Sequence, residues 1–173
     1  PGHSSAASDV YKRQDKIAKL RLELSAAKEE YVSNAKQLSS SRKIAAKKLD
    51  QQVMQQLPVL KLETSEFKTN IQLLEESKWN VMGIDKVRFE ARTNPGQLIG
   101  AIDKIASGGE LARFLLALKV VLSEGYPDKC LIFDEVDSGV GGAVADAVGT
   151  RLSKLAKTIQ TLVVTHSPQV ASK

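Results

Sequence analysis

Ser107-Gly108-Gly109-Glu110, Asp134-Glu135 and His166 are the residues of this 173-residue chain whose types and spacing could do chemistry. Two adjacent glycines let backbone approach a ligand closely, and Ser107 stands where a helix N-cap would. The N–H groups of the turn that follows have no partner inside the helix, and the helix dipole is positive there. That combination makes an anion site suited to a terminal phosphate. The same residues also serve as a plain turn opening a helix.

Asp134-Glu135 follow the apolar run Cys130–Phe133. Carboxylates at the C-terminal end of a buried strand stand where open α/β sheets bind ligands. Adjacent strand residues point to opposite sides, so the two acids can hold different posts. Asp134 suits the shell of a Mg²⁺ ion, which takes few carboxylates and keeps its waters. Glu135 suits a general base that orients an attacking water. His166 follows a second apolar run at the same sheet edge, which favours a place in the site over a structural one. Asp137-Ser138-Gly139-Val140-Gly141-Gly142 links the acids to the next helix, either for close approach to another chain or as a loose loop. One element is missing from the set: no G-x-x-x-x-G-K-[ST] phosphate loop occurs in the sequence.

The elements that must position these residues follow from periodicity. Residues 1–14 are polar, Ser/Ala-rich and aperiodic, resemble a vector scar, and are set aside with His3. From Asp15 to about Leu57 the pattern is helical. Ile17, Leu20, Leu24, Ala27, Tyr31, Ala35 and Leu38 form an a/d seam over about three heptads. Ala45, Leu49, Val53 and Leu57 then step by four, as where a helix leaves a coiled coil and packs on a globular body. Leu57-Pro58 stops it. Phe67, Thr69 and Ile71 predict one half-buried strand, and Val87, Phe89 and Ala91 a second that could pair with it antiparallel. Thr93-Asn94-Pro95-Gly96 ends the second. Helix 108–124 carries an apolar stripe at Leu111, Leu115, Leu118 and Leu122, and helix 142–157 carries Val144, Val148, Leu152 and Leu155. Strands 130–133 and 161–165 read as buried on both faces and parallel, as in a βαβ unit. Ser167-Pro168 opens another helix.

Composition narrows the class. Hydrophobic residues at 42% and charged residues at 26% fit a soluble globular class, and the length suffices for one domain with a core. No run of about 18 apolar residues occurs, so no membrane-spanning helix and no membrane partner are expected. The +5 formal charge is dispersed and reads first as a solvated surface. The lone Cys130 allows no internal disulfide, suits a reducing compartment and is expected to be buried.

The strings ASGGELAR, LIFDEVDSGVGG and VVTHSPQVA, in this order, resemble RecN, a bacterial family of DNA-repair ATPases related to the SMC proteins. Thr93-Asn94-Pro95-Gly96 and Leu38-Ser39 with Arg42, Ala45-Ala46 and Leu49 resemble it too. The similarity runs from about residue 16 to residue 173. It implies the C-terminal lobe of an ABC/SMC-type ATPase head over 58–173, truncated at its end, preceded by a coiled-coil root helix over 15–57. It further implies that Ser107, Gly108, Gly109 and Glu110 touch, in trans, the γ-phosphate of ATP held by a second head of a homodimer. Asp134 would serve the Mg²⁺, Glu135 would be the catalytic base, and His166 would sense the γ-phosphate. Asp137 and Ser138 would lie in the loop between heads. SMC proteins usually carry an Asp near the end of that loop, where this chain has Gly141-Gly142. An N-terminal lobe would supply the phosphate loop, DNA would be the partner, and the location would be the cytoplasm at the nucleoid.

Two other readings of the same residues stand beside it. A transport-type or other ABC ATPase half-domain is disfavoured by Glu110, where transport cassettes typically carry Gln, and by the long N-terminal helix. A non-enzymatic coiled-coil interaction module predicts that Glu135 and His166 can be replaced without effect.

Overall fold

The computed structural model describes residues 3–105, 107–123, 130–134, 136–137 and 140–173, with the backbone alone for 3–9. These fall into two compact units, one of residues 1–42 with 73–85 and one of residues 43–72 with 86–173. Helix α1 (His3–Gln56) is 54 residues long and contributes to both. It starts earlier than the seam predicts, and no proline or glycine interrupts the chain between Gly2 and Pro58. Pro58 ends it as expected. Pro58–Leu60 form a 3-10 turn and Lys61 takes a left-handed conformation at φ 58°.

In the first unit α1 exposes its seam: Ile17, Leu20 and Leu24 are 50, 52 and 70% accessible. Ala35, Ser39 and Ile84 are buried. Residues 73–85 lie on the helix through polar bonds. Tyr31 Oη donates to the Asn80 carbonyl (2.9 Å), and the Tyr31 and Trp79 rings meet at 5.9 Å. Ser39 Oγ donates to Asp85 Oδ1 (2.9 Å), and Arg42 donates to the Met82 carbonyl (2.8 Å) and pairs with Asp85 (3.4 Å). Gly83 closes the turn at φ 100°, with space for a Cβ limited by the Leu38 side chain at 3.3 Å.

In the second unit a three-stranded sheet runs β1 (Glu66–Leu73), β2 (Asp85–Arg92), β3 (Gly100–Ala101), in that order. Arg92 pairs with Glu66, and Asn70 bonds Glu90 at 2.8 Å, so β1 and β2 are antiparallel as predicted. The β2–β3 pairing is also antiparallel. The expected turn intervenes, with Gly96 at φ 86°. Then come α2 (Gly108–Ser123), β4 (Cys130–Asp134), α3 (Gly142–Ala156), β5 (Gln160–Val164) and α4 (Pro168–Ala171). β4 and β5 are parallel, with Asp134 opposite Val164. One core joins Val53 and Leu57 of α1 to Phe114, Phe133, Val148 and Leu152.

Four expectations are corrected. On the helix end it is Ala46, not Ala45, that is buried. On α2, Phe114, Ala117 and Val121 face the core while Leu115 and Leu122 are 43 and 54% exposed. This helix is apolar on nearly every side, so a row of leucines at four-residue spacing does not define its buried face. The β4–β5 pair is buried on one face only. Leu131, Phe133 and Val163 belong to or pack on the core, whereas Ile132, Leu162 and Val164 are 62, 52 and 52% exposed. Cys130 shares that outward parity and is exposed, not buried.

Candidate functional site

The predicted site residues form two groups, and among the described residues no hydrogen bond or ion pair joins one group to the other. The first is the N-terminus of α2. Ser107 caps it: its hydroxyl accepts from Glu110 N (3.4 Å) and its carbonyl from Leu111 N (3.0 Å). Ser107 and Gly108 are exposed, Gly109 is buried and Glu110 half-buried. A Cβ built on Gly108 would meet no atom within 4 Å, so the folded chain itself does not require glycine there. Beside this turn lies a cleft of about 450 Å³ lined by Arg92, Asn94, Gln97, Lys104, Ser107 and Glu110. Lys104 is exposed and has no ion pair among the described residues.

Beneath the turn sits a residue that periodicity did not single out. Arg113 is only 9% exposed. Its Nε donates to the Gly109 carbonyl (3.2 Å), and its Nη1 donates to the carbonyls of Leu60 (3.0 Å) and Lys61 (2.9 Å). One guanidinium therefore ties the left-handed exit from α1 to the Ser-Gly-Gly turn. Burial holds Arg113 below its ordinary pKa, opposed by the nearby charges of Glu110 and Glu63. A lone cation within the apolar run Leu111–Leu118 was the signal that could have found it.

The second group stands at the C-terminal edge of β4 and β5. The strand register sets Asp134 against Val164, so the chain reaches His166 just beyond the same edge. Asp134 and His166 are both exposed. Asp134 makes no ion pair or hydrogen bond to the described residues. A single open carboxylate is a hard oxygen donor of the kind Mg²⁺ accepts alongside waters and phosphate oxygens. Glu135 and Ser138 lie outside the described residues. Asp137 is buried at 8% exposure, and its Oδ2 accepts from Thr165 Oγ1 (2.5 Å) and Ser167 N (3.1 Å). Gly142 opens α3 at φ 53°, a left-handed value that favours glycine.

No family model matches the chain. Its sequence is 46% identical to the DNA repair protein RecN of Rickettsia bellii over 156 residues, covering 90% of this chain and 28% of that protein. It is 40% identical to RecN of Vibrio cholerae (91 and 28% covered) and 34% identical to RecN of Bacillus subtilis (94 and 31% covered). The chain thus spans about three-tenths of the length of the curated relatives it matches. In fold it is similar to an Smc head domain with an extended coiled coil from Pyrococcus furiosus, bound to the C-terminal domain of ScpA. The TM-score is 0.61 at 21% identity, covering 95% of this chain and 40% of that one. An SMC head described for ATP-driven dimerization and DNA stimulated activation matches at TM-score 0.54 and 18% identity, covering 78 and 76%. The α/β fold is therefore that of SMC-type ATPase heads. No helix among the described residues is long and apolar enough to cross a membrane.

Proposed function

We propose, for a chain that belongs to the RecN family of DNA repair proteins, that it forms the C-terminal lobe and coiled-coil root of an SMC-like ATPase head whose ATP is sandwiched between two heads. The observation that carries this reading is the β4–β5 register, which sets Asp134 and His166 at one sheet edge. An exposed anion-binding turn and a separate sheet edge suit a shared site, in which each head offers its turn to the nucleotide on the other. The open space over Gly108 supports the same arrangement.

In this reading Ser107, Gly108, Gly109 and Glu110 take the γ-phosphate from the partner head, using a hydroxyl and unpaired N–H groups at a positive helix end. Lys104, in the cleft beside them, adds a positive charge. Asp134 holds the Mg²⁺, which when bound neutralises charge developing on the phosphates. Glu135 accepts the proton of the attacking water, and His166 contacts the γ-phosphate. Asp137 and Ser138 belong to the loop facing the second head. The N-terminal lobe of the longer protein supplies the phosphate loop, and hydrolysis releases the heads. The relatives carry the name DNA repair protein, which supports a role in DNA repair; the reading extends this to DNA double-strand-break repair and recombination, in the cytoplasm at the nucleoid.

The test is Glu135→Gln in a protein of the relatives' full length carrying this segment. Turnover should fall by about 100-fold or more while ATP-dependent head dimers last longer. Dimers that dissociate faster would remove the base role from Glu135. The 173-residue chain alone, having no phosphate loop, should neither bind ATP tightly nor turn it over. Turnover by that chain, abolished by Glu135→Gln, would count against the shared-site reading.

A further inference from the structure

Asp137 is a buried carboxylate, and burying one without partners costs several kcal/mol. Its partners are specific. Oδ2 takes the Thr165 hydroxyl at 2.5 Å and the Ser167 N–H at 3.1 Å, and the Thr165 Oγ1 in turn accepts from the same Ser167 N–H at 3.0 Å. These two residues flank His166. Beyond them Ser167 caps α4, its hydroxyl accepting from Val170 N (3.4 Å) and its carbonyl from Ala171 N (3.0 Å). The backbone is thus fixed before and after the histidine, while the imidazole stays exposed. Asp137 lies in the loop assigned above to the inter-head contact, but its carboxylate is engaged inside its own chain.

We infer that Asp137 is the positioning residue for His166: one carboxylate oxygen, bonded to Thr165 and Ser167, sets where the imidazole stands at the sheet edge. The inference rests on the reading of His166 as a γ-phosphate contact. It makes the loop after β4 and the loop after β5 a single bonded unit, so displacement of one moves the other. The bond needs an acceptor oxygen, not a charge, so an amide in place of the carboxylate suffices.

The experiment measures ATP turnover, KM and ATP-dependent dimerisation in a protein of the relatives' full length. His166→Ala should lower kcat by about 100-fold. Asp137→Ala should lower kcat about 10- to 100-fold with KM and dimerisation within about twofold. Thr165→Val should lower kcat by about three- to tenfold, and adding it to Asp137→Ala should cost little more, since both break one unit. Asp137→Asn and Thr165→Ser should stay within about threefold of the parent. Normal turnover in His166→Ala overturns the histidine reading, and the inference with it. Slow His166→Ala with normal Asp137→Ala and Thr165→Val overturns the positioning role alone. Loss of dimers in Asp137→Ala but not in Thr165→Val also overturns it, because the carboxylate would then act on the other head. If Asp137→Ala fails to fold, Thr165→Val against Thr165→Ser decides the question.

Discussion

The unit built on the first forty-two residues and the unit that follows are held together by different means. The first fastens residues 73–85 to α1 with Tyr31, Ser39 and Arg42, and leaves Leu20, Leu22 and Leu24 at 52–74% exposure. The second buries Val53, Leu57, Phe114, Phe133 and Val148 to 0–1%. Yet α1 carries apolar residues at three- and four-residue spacing through both. A periodic seam states which face of a helix is apolar; what that face meets decides whether it becomes core. Where Val53 and Leu57 of α1 join Phe114 and Val148, side chains close into one cluster. Where it meets only a short excursion, directional polar bonds set the geometry.

The contrast predicts unequal effects of substitution. The largest should follow Phe114→Ala, at a side chain 0% exposed in the centre of the core. A loss of about 3–5 kcal/mol is expected from lost burial and the cavity left behind. Urea unfolding followed by circular dichroism should show a lower midpoint with unchanged slope. A loss under about 1 kcal/mol would mean that the cluster around α2 is not the core of this unit.

Next comes Arg113→Met, which keeps much of the side-chain volume but removes donors to Gly109, Leu60 and Lys61. Three carbonyls lose a charged donor, and about 2–4 kcal/mol should be lost. Arg113→Lys should recover only part of this, because an ammonium cannot reproduce the planar fork. Amide exchange should rise at residues 60–63 and 108–111 together. A rise at only one of the two would show that the guanidinium does not join them.

Much of this second unit was legible in the chain. The strands at 66–73 and 85–92, the helices at 108–123 and 142–156 and the parallel strands fell where period and turn residues placed them, because propensity, pattern and punctuation agree there. Asp134 and His166 were legible as edge residues for the same reason. Burial was less so. Leu115 and Ile132 look like core residues in sequence, and only the side on which neighbours pack exposes them. Arg113 showed in the sequence only as a lone cation in an apolar run; its bonds to Leu60 and Lys61, and that of Asp137 to Thr165, were illegible because they cross 28 to 53 residues of chain. No local period encodes such contacts.

In the first unit the effects should be smaller and local. Asp85 has a side chain 2% exposed, accepting from Ser39 and paired with Arg42. Asp85→Ala leaves the Ser39 hydroxyl without its acceptor and Arg42 with the Met82 carbonyl alone, and should cost about 1–3 kcal/mol. Exchange should rise across 73–85 and stay unchanged across 108–123. A loss of protection in α2 as well would mean the two units open together.

The smallest measurable effect should be that of Tyr31→Phe. It deletes one hydroxyl, whose bond to the Asn80 carbonyl is exposed, and keeps the ring that meets Trp79. About 0.5–1 kcal/mol should be lost, visible as faster exchange near Asn80 with no shift in the global urea midpoint. Lys28, paired with Glu76 at 2.5 Å with both side chains at least 60% exposed, sets the floor for comparison. Exposed pairs of this kind contribute little, so Lys28→Ala should leave exchange near Glu76 unchanged. If Lys28→Ala loosened residues 73–85 more than Tyr31→Phe does, charge rather than directional hydrogen bonding would be what holds the excursion to α1.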